Sequence, residues 1–132
     1  MNDITASHEL ERKFPGKVRL IRYEDLSLTP KTTARQLLEF LNLPWHDAIG
    51  HYVDTHTNKD VKKRQDPYGT ARNSTAAVFA WKELLGFKNV SKIQDECKEP
   101  MGELGYSLIA NEKQMSVQDP VLKKTADQVW PF

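Results

Sequence analysis

A single cysteine, Cys97, among 132 residues excludes an internal disulfide and any zinc site built on paired cysteines. No apolar run approaches the ~20 residues of a membrane span, and the first twenty residues lack the apolar core of a secretory signal. Charge of one sign is missing too. Nineteen Lys and Arg face eighteen Asp and Glu, a net +1 with a pI near 7.8. That balance argues against a nucleic-acid or membrane-surface protein driven by bulk charge. Haem, P-loop and dinucleotide fingerprints are absent, and no segment repeats.

What remains is a globular-type composition, 39% hydrophobic and 28% charged, in a chain long enough for one domain or part of one. The charges are unevenly spread. Residues 57–72 carry Lys59, Lys62, Lys63, Arg64 and Arg72 against Asp60 and Asp66.

Residues 1–16 are polar with scattered Ile4, Leu10 and Phe14, and Pro15-Gly16 closes them as a turn. The run 18–23, VRLIRY, reads as a short strand with apolar residues on both faces, a pattern of burial within a covered sheet. Then Thr29 can cap a helix and Pro30 suits its first position, with Ala34, Leu37, Leu38 and Leu41 on one face and Leu43-Pro44 at its end. A weaker helix is expected over 46–54, with Ile49, Tyr52 and Val53 on one side. Residues 55–72 have no period and hold Asp66-Pro67-Tyr68-Gly69, a turn, so they read as a loop. Its length favours a functional or flexible segment. A helix is expected from Ser74 to Leu85, with Ala77, Trp81 and Leu84 inward and Gly86 as its stop. A last one is expected over 91–104, where Ser91 and Gln94 have capping-box spacing and Pro100 should kink it. Residues 110–132 read as a polar tail with Val129-Trp130 loosely attached.

One strand with about four helices leaves the strand's backbone donors and acceptors without partners. The expected fold is therefore α/β, with the rest of the sheet encoded elsewhere, and residues 1–109 are expected to be a fragment of a domain.

Two stretches carry a resemblance. VRLIRYEDLSLTP at 18–30 leads into the leucine-rich helix and its LNLPW end, and DPYGTARNSTAAVFAW at 66–81 precedes a helix closing on CKEPMGELGY. In this order and spacing they resemble the C-terminal part of the Golgi carbohydrate 6-O-sulfotransferases over roughly residues 10–108. These enzymes sulfate galactose or N-acetylglucosamine with 3′-phosphoadenosine 5′-phosphosulfate (PAPS). The resemblance implies a P-loop-like sulfotransferase domain, a glycan acceptor, PAPS as co-substrate and no metal. It also implies a Golgi-lumen location through a membrane anchor, although this chain carries no targeting signal. The family's phosphosulfate loop and catalytic base would lie upstream, so no residue here is expected to be catalytic.

Sulfuryl transfer asks a protein to hold and neutralise charge around the donor. Gly69-Thr70-Ala71-Arg72-Asn73-Ser74 offers a cation, hydroxyls and backbone N–H groups just before a helix. By resemblance, Arg72, Asn73 and Ser74 contact the 3′-phosphate, and Tyr23 touches the adenosine. The plainer alternatives are that Asn73 or Ser74 caps the helix, that Arg72 is solvated, and that Tyr23 is a core residue at a turn. Glu24 and Asp25 read as turn and helix-entry residues, not an acid/base pair, because adjacent side chains on an extended segment point apart. His46, His51 and His56 recur every five residues, which sets each about 140° round a helix from the last, so the three share no face, and argues against a metal site. The basic run 59–64 reads as a solvated loop, and Trp45 and Trp81 as core.

Asn73-Ser74-Thr75 and Asn89-Val90-Ser91 match the N-glycosylation pattern. With Asn73 against the donor, only Asn89 is expected to accept a glycan. A luminal relative implies that Cys97 pairs with a cysteine outside this chain. A rival reading of another class is a small helical interaction module with no nucleotide chemistry. The combination of Tyr23 with residues 72–74 separates the two, because such a module has no use for it.

Overall fold

The computed structural model describes residues 3–58 and 71–117. Its contacts divide the chain into two compact units, residues 23–81 and residues 1–22 with 82–132. Among the described residues there are eight helices and no paired strand beyond one isolated bridge.

The unit of residues 23–81 holds α2 (Tyr23–Leu28), α3 (Pro30–Phe40), α4 (Asp47–Thr57) and α5 (Ser74–Phe79). Pro30 opens α3 as expected, but Thr29 does not cap it with its side chain. The Thr29 hydroxyl instead donates to the Asp25 carbonyl at 2.9 Å, which also receives the buried Thr33 hydroxyl at 3.0 Å and the Thr29 amide at 3.1 Å. One α2 carbonyl thus holds the α2–α3 corner. At the other end of α3, Asn42 takes a left-handed φ of 55°, with Asn42 N–H bonded to the Glu39 carbonyl and Leu43 N–H to that of Leu38. These two bonds are the Schellman pattern, with asparagine in the position that glycine usually takes. The leucine face of α3 is only partly covered: Leu37 and Leu38 are half-buried, while Leu41 is 58% exposed.

Helix α4 lies against α3 over Gly50. A Cβ at Gly50 would stand 3.0 Å from Lys31 Cε and 3.1 Å from Trp45 Cζ2, so the absence of a side chain lets the helices approach. Lys31 reaches on to Asp54 at 2.7 Å, and Arg35 sits 4.6 Å over the half-buried Trp45 ring.

The single helix expected over 74–85 is broken. Helix α5 stops at Phe79, and a four-residue turn, α6 (Trp81–Leu84), follows Ala80. Val78 is the buried residue of α5, whereas Leu84, expected inward, is 81% exposed.

In the other unit, residues expected to be irregular form α1 (Asp3–Lys13), a helix with no buried residue. The turn after it is as expected: Lys17 N–H bonds the Phe14 carbonyl at 3.0 Å and Gly16 has a φ of 71°, a type II turn with Pro15 and Gly16 in their preferred places. The strand expected over 18–23 is not formed. Residues 18–22 have neither helix nor ladder, and Tyr23 is the first residue of α2. The physical reason is that a strand exists only through a neighbour. Here the Leu20 amide bonds the Glu11 carboxylate at 3.3 Å instead. Arg22, 4% exposed, donates from Nη1 to the Leu104 carbonyl at 2.8 Å.

Helix α7 (Phe87–Glu103) starts earlier than expected, with Gly86 as its N-cap and Ser91 inside it, so the 91/94 capping box does not form. The expected kink is present at Cys97, whose φ/ψ of −109°/18° is not helical. Pro100 has no N–H for the Glu96 carbonyl and its ring crowds that carbonyl, which distorts the adjoining residue, Cys97. The helix ends in another Schellman pattern: Gly105 has a φ of 74°, and Tyr106 N–H bonds the Met101 carbonyl at 2.8 Å. The chain then returns along α7, where buried Gln94 donates to the Ile109 carbonyl at 3.0 Å and accepts from the Ile109 N–H at 2.6 Å. Residues expected as the start of a polar tail form α8 (Glu112–Val117). At its start Asn111 Oδ1 accepts from the Gln114 N–H at 2.8 Å, an N-cap bond, and Gln114 Oε1 accepts from the Ala110 N–H at 2.7 Å. Met115 of α8 is buried, as are Val90 and Ile109. Val129 and Trp130 lie outside the described residues.

Candidate functional site

All four residues singled out from the sequence fall in the unit of residues 23–81. The segment 72–74 is held at three points. Arg72 N–H donates to the His56 carbonyl at 2.9 Å, at the end of α4. Asn58 and Asn73 form an antiparallel bridge. The Ser74 hydroxyl donates to the Ser27 carbonyl at 2.7 Å, which joins the first residue of α5 to α2. The start of α5 is thus clamped between the end of α4 and the last turn of α2, in line with the packing of α2 on α5.

What each side chain has left to offer differs. The Arg72 side chain is exposed and has no hydrogen-bond or ion-pair partner among the described residues; its guanidinium carries five N–H donors of the kind an anion needs. Asn73 is the N-cap of α5, its Oδ1 accepting from Ala76 N–H at 2.9 Å, which leaves its amide N–H groups. The Ser74 hydroxyl proton is committed to Ser27. Tyr23 is 54% exposed, its ring presented from the first turn of α2. No hydrogen bond joins Tyr23 to residues 72–74 among the described residues. Glu24 and Asp25 occupy the first turn of α2, where acidic residues suit the helix dipole.

Neither His56 nor Ser27 is signalled by sequence, since each contributes only a backbone carbonyl. The His56 ring is itself fixed, stacked on Tyr52 at 3.8 Å and with Nδ1 2.9 Å from the Tyr52 carbonyl. His46 is the N-cap residue of α4 and His51 an exposed residue within it. Among the described residues no group of three or more His, Cys, Asp or Glu could hold a metal ion. No described helix is long and apolar enough to cross a membrane. The basic run 59–64 and the 66–69 turn lie outside the described residues.

Residues 5–105 match the sulfotransferase domain family, and the chain belongs to that family. The relatives it is similar to are carbohydrate sulfotransferases. It is 31% identical over 100 residues to mouse carbohydrate sulfotransferase 1, a stretch that covers 76% of this chain and 24% of the relative. It is 29% identical over 94 residues to human carbohydrate sulfotransferase 2, covering 71% of this chain and 18% of the relative. With mouse carbohydrate sulfotransferase 3 the identity is 28% over 109 residues, 80% of this chain and 23% of the relative. The matched part of the chain thus spans about a quarter or less of these relatives' length. No solved structure matches it.

Proposed function

We propose that this chain is part of a PAPS-dependent carbohydrate sulfotransferase, which moves a sulfuryl group from PAPS to a sugar hydroxyl. The observation that carries this reading is the family match over residues 5–105, together with relatives that are themselves carbohydrate sulfotransferases. In this reading the helices of the chain complete a P-loop-like α/β domain. Residues 18–22, which form neither helix nor ladder here, become a strand when the rest of the sheet is beside them. The enzyme works in the Golgi lumen. Most of the helix content that a small interaction module would also have, α2 to α7, falls within the matched residues, so the domain accounts for it.

The donor is an anionic nucleotide, and the residues present fit it in part. Arg72 supplies an uncommitted planar cation, suited to a bidentate hold on phosphate. The Asn73 amide adds donors beside it, and the exposed Tyr23 ring offers a face for the adenosine. Ser74 fits less well, because its proton already goes to Ser27; its role is to anchor the segment that carries Arg72. When bound, PAPS supplies the sulfuryl group, while Arg72 and Asn73 orient the nucleotide by its 3′-phosphate.

The reading is tested with the longest protein the gene encodes, incubated with radiolabelled PAPS and galactose- or N-acetylglucosamine-terminated oligosaccharides. Label in the sugar is the expected result. Absence of both label transfer and adenosine 3′,5′-bisphosphate binding would overturn it.

A further inference from the structure

The chain holds two N-glycosylation sequons, Asn73-Ser74-Thr75 and Asn89-Val90-Ser91, and the fold treats their asparagines differently. Asn89 lies in the first turn of α7 and is exposed. Its side-chain amide makes no hydrogen bond among the described residues; only its backbone N–H is engaged, with the Gly86 carbonyl at 2.9 Å. The residues of α7 that turn inward are Val90 and Gln94, so a group attached at Asn89 displaces no buried contact. Asn73 is the opposite case. It is half-buried, and its Oδ1 caps α5. The segment around it is pinned by the Ser74 hydroxyl on the Ser27 carbonyl and by the bridge to Asn58. A glycan there would have to leave through a segment fixed on both sides.

Ile93 gives a glycan on Asn89 a surface to lie on. It stands one turn further along α7, on the same face by its i, i+4 spacing, and it is 48% exposed. Side chains on a helix lean toward its N-terminus, so Ile93 leans toward Asn89. The C–H face of a first sugar on Asn89 would cover that apolar group and turn hydroxyls to water.

We propose that Asn89, and not Asn73, carries an N-linked glycan. In the transfer, Asn89 Nδ2 forms a bond to C1 of a sugar held on a lipid diphosphate. The C1–O bond to the diphosphate breaks, the lipid diphosphate leaves with the electron pair, and the amide gives up one proton. The acceptor segment is extended when it is modified during synthesis, and α7 then closes with the glycan outward. The proposal rests on the luminal part of the sulfotransferase reading, because this modification takes place in the lumen of the secretory pathway.

The experiment uses the longest protein the gene encodes, expressed in cultured animal cells. Peptide N-glycosidase digestion in heavy-oxygen water, followed by peptide mass spectrometry, should find a labelled aspartate at position 89 and an unmodified amide at position 73. Asn89→Gln should gain gel mobility by one glycan, a difference that disappears after the glycosidase, and Asn73→Gln should run as the wild type. An unmodified amide at position 89, or a glycan on Asn73, overturns the proposal. Protease added to sealed microsomes separates the two ways it can fail. A protected protein without a glycan on Asn89 refutes the site alone, whereas a digested one removes the luminal reading with it.

Discussion

Arg72 and Ser74 stand two residues apart and are set to different work, and substitution separates them. If Arg72 holds the 3′-phosphate, Arg72→Ala removes a charge-assisted contact of about 1.5–3 kcal/mol. Affinity for adenosine 3′,5′-bisphosphate then falls roughly ten- to a hundredfold, read by calorimetric titration of the longest protein the gene encodes. Arg72→Lys should restore part of it, because an ammonium lacks the planar fork. Equal affinities in wild type and Arg72→Ala would assign the side chain to solvent. Ser74→Ala leaves the Ser27 carbonyl without its donor, at a cost of about 1 kcal/mol in stability. It should leave the number of phosphate contacts unchanged. A drop in melting temperature with less than a threefold change in nucleotide affinity is the expected pattern; the reverse would return Ser74 to the phosphate.

At the scale of elements, most helix ends are specified by local chemistry and most helix faces are not. The Schellman ends at Asn42 and Gly105 and the α5 cap at Asn73 each need only a few neighbouring residues. Pro100 bends α7 three residues before its own position, because the proline disturbs the preceding turn. The join between α7 and the 107–110 segment is of another kind. Gln94 reads the backbone of Ile109 as a strand would, donor to acceptor and acceptor to donor. Gln94→Leu keeps the bulk and leaves a buried N–H and a buried C=O unpaired, each worth about 1–3 kcal/mol. The variant should lower the denaturation midpoint sharply. Hydrogen exchange at the Ile109 amide should rise to the rate of its neighbours, and an unchanged exchange rate would show that the pairing contributes little.

At the scale of the whole molecule, the described residues enclose little interior. Val78, Val90, Ile109 and Met115 are the buried apolar residues among those described, and no large side chain is fully enclosed. Leu10, Phe14, Leu41, Leu43, Leu84 and Ile93 are meanwhile exposed. Such a chain buries too little apolar surface to offset its ordering entropy by a wide margin. By itself it should melt at low temperature with weak cooperativity. It should elute from gel filtration at a concentration-dependent position and transfer no sulfate, since in the proposed reading the phosphosulfate loop and catalytic base are supplied by other parts of the enzyme. A sharp cooperative transition above ordinary mesophile temperatures would contradict the first expectation, and measurable transfer by this chain alone the last.

Sequence by itself determined what short-range chemistry and pattern can carry. The Pro15-Gly16 turn, the start of α3 at Pro30, the existence of α4, the bend caused by Pro100 and the family all follow from residues close together in the chain. Only the tertiary structure decided the rest. VRLIRY has the composition of a strand, yet residues 18–22 form no ladder, because a ladder belongs to two segments and not to one. Leu84 reads as a core residue by its spacing, but the expected single helix stops at Phe79 and Leu84, in the separate turn α6, stands in solvent. Arg22 reads as surface by its charge, yet it is buried because the carbonyl of Leu104, 82 residues away, is there to receive it. The segment at Arg72 was legible as an anion-suited motif. Its clamping by His56 and Ser27 was not, because a backbone carbonyl has no letter of its own in the sequence.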